Sequence, residues 1–150
     1  MRREYFLIPV AIWLVSIFLI QILGAIYAPD SSVIPDECPK NSGNCERELL
    51  FYSGSPESVH SAALEWVDAQ TMASIIDSNN TESHTVFRTS WLMFPDDFYL
   101  TSKCTQSGTS LQIHSESRLG LSDLGVNSNR IDELVEYLDN IEFEPHICSS

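Results

Sequence analysis

"SESRLGLSDLGVNSNRIDEL", residues 115–134, passes from the end of an alternating strand into an amphipathic helix. Ser115, Glu116 and Ser117 close the run "TSLQIHSES", in which Leu111 and Ile113 take one side and Gln112, His114 and Glu116 the other. That period of two predicts a strand with one apolar face. Ile131, Leu134, Val135 and Leu138 then recur at helical spacing, with Asp132, Glu133, Glu136 and Asp139 on the opposite side, which predicts a helix that covers a sheet. Between them, Gly120 and Gly125 mark tight turns. Leu119, Leu121, Leu124 and Val126 alternate with polar residues, so the loop is expected to bury its own leucines. Asn127, Ser128 or Asn129 is expected to cap the helix.

Three more strand-like runs lie upstream: "TMASIID" (71–77), "HTVFRTSWLMF" (84–94) and "DDFYLTSKC" (96–104), separated by turn residues at Asn79–Asn80, 94–96 and 106–108. The second run places Val86, Arg88 and Ser90 on one face and Phe87, Thr89 and Trp91 on the other. The third places Phe98, Leu100 and Cys104 together. Ahead of them, Ser55 is a good N-cap and Pro56 fits the first helical turn. Val59, Ala62, Ala63, Trp66 and Val67 form the apolar stripe of that helix, and His60 falls off it, which reads as a surface histidine. The fold expected is α+β in two layers: a four-stranded antiparallel sheet, one face apolar and one polar, with two covering helices, in the order helix, four strands, helix.

The first 28 residues stand apart. Tyr5 to Ala28 contains no charge, and Gln21 is its only strongly polar residue. At about 1.5 Å per residue, roughly 20 apolar residues cross a bilayer core. A cleaved signal peptide has a shorter apolar region and small residues at its cleavage site, whereas here Ile26 and Pro29 flank the best site. An uncleaved anchor is therefore expected, in contact with the lipid bilayer through residues 5–28. Arg2 and Arg3 put the N-terminus in the cytoplasm and residues 29–150 outside the cell membrane. The divisions expected are 1–28 anchor, 29–48 tether rich in Pro, Ser, Asn and acidic residues, 49–143 α+β domain, and 144–150 tail.

Beyond residue 28 the chain has 6 basic and 20 acidic residues, a net charge of −14. This excludes nucleic acid as a partner, since bulk phosphate neutralisation needs Lys and Arg. Four cysteines on the oxidising side allow three pairings. Cys38–Cys45 with Cys104–Cys148 is the pairing expected, while zinc needs tighter spacing than Cys38 to Cys45 offers. No metal or cofactor is expected. Asn79-Asn80-Thr81 matches a glycosylation sequon, in keeping with an exported domain.

The motifs of nucleophilic and phosphate chemistry are missing: no G-x-S-x-G, H-E-x-x-H, C-x-x-C, P-loop or G-x-G-x-x-G. His84, His114 and His146 are scattered. With a turn centred on Ser107, Asp97 would face Ser117 and Asp96 would face Arg118, giving a small polar site or a cross-strand ion pair. Asp96 and Asp97 point to opposite faces of their strand, a poor arrangement for an acid/base pair. The residues expected to contact an unknown protein or small-molecule partner are Asp96, Asp97, Ser117, Arg118, Asp123, Asn127 and Arg130. A non-catalytic binding or interaction module is the preferred reading. A small hydrolase or transferase using the Asp96/Asp97/Arg118 region with His114 or a serine is the alternative.

The run 115–134, with "FPDD" at 94–97 and "CPKNSGNC" at 38–45, resembles the domain-of-unknown-function family 1499 over roughly residues 36–140. This chain departs from the family pattern at Glu46, Arg47 and Glu48 after the NC step, and at Ser128. The resemblance implies an exported or membrane-linked domain and carries no established activity.

Overall fold

A computed structural model describes residues 4–147. Its elements are α1 (Glu4–Ile26), β1 (Cys45–Tyr52), α2 (Pro56–Asp68), β2 (Ala73–Ser78), β3 (Glu82–Arg88), β4 (Pro95–Thr105), β5 (Gly108–Ser117) and α3 (Val126–Asp139). The strands form one antiparallel sheet in the order β1-β5-β4-β3-β2. The α+β class is as expected, but the sheet has five strands rather than four.

The extra strand is β1, along the outer side of β5. Its first half, Cys45–Glu48, carries Glu, Arg and Glu after the cysteine, in a segment expected as loop. Only Leu49 to Tyr52 are apolar, too short a run to show a period of two. As an edge strand it needs few buried side chains, and its charges discourage pairing with other chains.

Both α2 and α3 cover one face of the sheet. Val59, Ala63, Trp66 and Val67 of α2 pack with Ile131, Leu134 and Leu138 of α3 against Phe98, Leu100, Leu111 and Ile113. Ser55 caps α2 as expected, its hydroxyl accepting from the Ser58 amide at 3.2 Å. His60 differs from expectation. It is 1% exposed, and neither ring nitrogen has a hydrogen-bond partner among the described residues. Ser83, Thr85 and Ser102 leave hydroxyl oxygens in the same state on the sheet face below α2. Burial lowers the His60 pKa, with Glu82 opposing the shift.

The opposite face was expected to be polar. It is polar but buried, with His84, Asp97, Tyr99, Thr101 and His114 all withdrawn from solvent. The segment after α1 crosses it as a strap. Ser32 Oγ lies 3.2 Å from His84 Nδ1, Arg47 donates to the Pro35 carbonyl, and a disulfide joins Cys38 to Cys45. Asn44 ties the strap's end to β5 and the following loop, donating to the carbonyls of Ser117 (3.1 Å) and Gly120 (2.9 Å). Cys104 is not a free thiol, and Cys148, its expected partner, lies outside the described residues.

Register corrects a further expectation. Thr105 pairs with Gly108, so the β4–β5 turn is centred between Gln106 and Ser107, not on Ser107. Asp96 therefore faces Ser117, and Asp97 faces Glu116; Asp96 does not face Arg118. Half a residue of turn geometry moves each pairing by one.

The β5–α3 loop leaves two of its leucines out, Leu121 at 95% and Leu124 at 93% exposure, while Leu119 and Val126 are half-buried. The expected caps lie inside α3. Gly125, at φ 83°, takes the N-cap position without a side chain. Asp123 supplies the missing acceptor, its carboxylate receiving the amides of Gly125 (3.1 Å) and Asn127 (2.6 Å).

Within α1, Leu7–Ile26 is long and apolar enough to cross a membrane, with mean hydropathy 2.4, and fits an anchor or a signal sequence. It lies against the domain. Trp13 Nε1 donates to the Trp91 carbonyl (3.1 Å), Gln21 Nε2 to the Met93 carbonyl (2.7 Å), and Arg118 Nη1 to the Gly24 carbonyl (3.1 Å). At Gly24 the approach is close: a Cβ there would sit 2.5 Å from Pro95 Cγ.

Candidate functional site

Because successive side chains of a strand alternate, Asp96 and Asp97 face opposite layers, as expected. Each is held by its own arginine. On the helix side, Arg130 Nη2 donates to Asp96 Oδ2 at 2.8 Å. Its Nη1 donates to Ser115 Oγ (2.9 Å) and Asn127 Oδ1 (2.7 Å), and its guanidinium carbon sits 4.5 Å from the centre of the Phe87 ring. Asn127 completes the network, donating to the Asn44 carbonyl (2.8 Å) and Ser117 Oγ (3.1 Å). Asp96, Ser115, Ser117, Asn127 and Arg130 are all buried. A burial of this kind is tolerated because the polar groups satisfy one another.

On the strap side, Arg118 grips both oxygens of Asp97, Nε to Oδ2 and Nη2 to Oδ1, each at 2.7 Å. His84 Nε2 lies 2.7 Å from Asp97 Oδ1, and the imidazole stacks on Tyr99 with ring centres 4.3 Å apart. Burial alone would raise the Asp97 pKa. The hydrogen bonds and charges of Arg118 and His84 outweigh it and hold the carboxyl below its usual range. The Asp97 hydrogen bond in turn raises the Arg118 pKa. An ionised carboxylate only accepts, so His84 Nε2 donates to Asp97, while Nδ1 faces the Ser32 hydroxyl.

A third cluster sits where the strap meets β5. His114 Nε2 is 3.6 Å from Cys45 Sγ and 3.2 Å from Glu116 Oε2, while Nδ1 is 3.4 Å from Arg47 Nη1. Cys38, Cys45 and His114 are close enough to share a metal ion. The two sulfurs are bonded to each other, however, so the thiolates a metal requires are not available.

A cleft of about 300 Å³ opens between the 89–94 turn and the β5–α3 loop. Phe94, Leu119, Leu124 and Val126 supply apolar wall, and Asp96, Ser117 and Asp123 line it with polar groups. Seven residues were expected to form one site. The structure places Asp96, Ser117, Asn127 and Arg130 in the buried helix-side network and Asp123 beside it as the cap of α3. Asp97 and Arg118 lie across the sheet. Sequence reasoning did not find Ser32, Asn44 or His84 as parts of these networks. Their connections span 52 residues for Ser32–His84 and 73 for Asn44–Ser117, and no local period carries such a signal.

A five-stranded antiparallel sheet is backed by two helices, and its aspartate pair is divided between two arginines on opposite faces, which defines an α+β fold with a buried acid–arginine pair in each layer. The chain belongs to the family described as protein of unknown function DUF1499, which matches residues 43–138. It is also similar in fold to the crystal structure of protein MLL2253 from Mesorhizobium loti. The TM-score is 0.50 at 12% identity, covering 66% of this chain and 99% of that one. Among curated proteins none matches the chain.

Proposed function

We propose that the protein is a membrane-anchored extracytoplasmic binding module, held in the bilayer by an uncleaved α1. Its ligand seat is the cleft between the 89–94 turn and the β5–α3 loop. The observation that carries this reading is the cleft's composition: apolar walls around Asp96, Ser117 and Asp123, with the carboxylates engaged behind it by Arg130 and the α3 amides. Carboxylates committed in this way orient a ligand's polar end and have no free role in proton transfer. The disulfide supports an oxidising compartment. The test is a thermal-shift screen of the full chain in detergent against small amphiphiles and polar metabolites. A shift abolished by Val126→Trp, with unliganded melting unchanged, supports the seat. A screen in which no compound shifts the melt argues against it.

One observation favours the alternative, a small hydrolase or transferase. Ser32 Oγ, His84 and Asp97 stand in line at 3.2 and 2.7 Å, the order of a hydroxyl, an imidazole and the carboxylate that orients it. A fluorophosphonate probe decides it. Covalent labelling of the full chain, lost in Ser32→Ala and in His84→Gln, would establish an activated serine; an unlabelled chain leaves the line as a clasp for the strap.

A further inference from the structure

The sequence 89–94, "TSWLMF", is a turn of largely apolar residues at the surface, and Trp91 is 73% exposed. Two leucines on the neighbouring loop, Leu121 and Leu124, are more exposed still. Such side chains on adjoining loops mark a contact with another apolar phase.

The same turn is internally closed. The Thr89 amide donates to the Phe94 carbonyl (3.1 Å), the Met93 amide to the Thr89 carbonyl (3.0 Å), and the Phe94 amide to Thr89 Oγ1 (3.0 Å). Two outward carbonyls, of Trp91 and Met93, are capped by Trp13 and Gln21 of α1. Gln21 is the only strongly polar side chain in the apolar span, and this is where it is used. Irregular backbone is tolerated at hydrocarbon depth only when its polar groups are satisfied by protein. The Trp91 and Met93 carbonyls meet that condition through α1 itself.

Position agrees with chemistry. Gly24 lies against Pro95 at the base of the domain, and Trp13 lies eleven residues earlier on the same helix. At the rise of an α-helix, that separation is about 16 Å along the axis, a large part of a hydrocarbon core about 30 Å thick. If Gly24 is near the membrane surface, the Trp91 turn is below it.

We infer that the 89–94 turn is a second membrane-contact site, inserted into lipid beside α1, with Leu121 and Leu124 resting on the same lipid surface. This inference rests on the reading of α1 as a retained anchor. The partner is the acyl-chain region of the bilayer. With a net charge of −14 beyond residue 28, the domain is repelled by anionic headgroups, so zwitterionic lipid is the fitting surface. The cleft between the two loops then opens toward lipid, which makes a lipid chain the fitting class of ligand for it.

The experiment uses the full chain and its Trp91→Phe variant, reconstituted in phosphatidylcholine vesicles with and without brominated acyl chains, which quench indole emission on contact. Trp66 is buried in the core and contributes an unquenched background, and Trp13 in α1 contributes equally to both proteins. The expected result is a quenched fraction of the parent that falls markedly in Trp91→Phe. Membrane-retained protein with equal quenching in parent and variant overturns the insertion and leaves the anchor standing. Protein released from the vesicles without α1 overturns the anchor and the insertion together.

Discussion

Arg118 holds Asp97 by two parallel hydrogen bonds of 2.7 Å, although the two residues are diagonal rather than opposite across the β4–β5 ladder. Both side chains are largely buried, 12% and 8% exposed, so the pair has little water to fall back on. Removing one partner of a buried pair costs more than the pair itself contributes, because the other charge is left unpaired. Arg118→Ala is therefore expected to destabilise the full chain by about 3 kcal/mol. A drop in Tm of under a degree would show the pair to be dispensable scaffold. Arg118→Met combined with Asp97→Asn is expected to recover much of the loss, since no buried charge is then orphaned.

The same carboxylate shapes the acid limb of stability. Its folded pKa lies below the usual value because Arg118 and His84 overcome the cost of burial. The unfolded chain therefore takes up this proton first, at about pH 3.9. The contribution is complete above that pH and is lost as pH falls through the lower, folded value. Asp97→Asn should be less stable than the parent at neutral pH, and the gap should narrow as the medium is acidified toward pH 3. Urea titrations at successive pH values measure it, and a gap of constant width contradicts the assignment.

His60 acts in a higher window. Burial disfavours its imidazolium and lowers its folded pKa. The unfolded chain protonates near pH 6.5, so stability is present above that value and falls as pH drops below it. His60→Leu should flatten this slope between about pH 7 and 5. Because it also removes two unsatisfied ring nitrogens, it should leave neutral-pH stability equal or higher by about 1 kcal/mol. A variant that unfolds on acidification as steeply as the parent would place the titration elsewhere.

What the sequence made legible was what local periodicity encodes. The stripe from Val59 to Val67 and that from Ile131 to Leu138 are the helix faces that fill the core, and the alternation of β4 and β5 separates Asp96 from Asp97. Periodicity failed where burial came from distant chain. Glu46 and Glu48 hide the start of β1, because an edge strand does not need an apolar code. His60 lies off the α2 stripe yet is buried among unsatisfied hydroxyls of β3 and β4. The exposed Leu121 and Leu124 follow an alternation that, in a loop, has no sheet to point into. Arg118 was expected opposite Asp96 and holds Asp97 instead, because a one-residue register step depends on turn geometry, which the residue types at 105–108 leave open.

The motif's aspartate tests how much of the run 115–134 is helix-start chemistry. Asp123 accepts from the amides of Gly125 and Asn127, two of the donors that an α-helix leaves without intrahelical partners. Gly125 has no side chain to do this, and Asn127 is committed to Asn44 and Ser117. Asp123→Ala is therefore expected to cost about 1 kcal/mol, and Asp123→Asn less, because an amide oxygen still accepts but without the favourable charge at a helix N-terminus. Circular dichroism melts of the two variants give the order. If Asp123 instead contributes only to a ligand, both variants melt with the parent and differ from it in the thermal-shift screen alone. That pattern would transfer the residue from the frame of α3 to the cleft it lines.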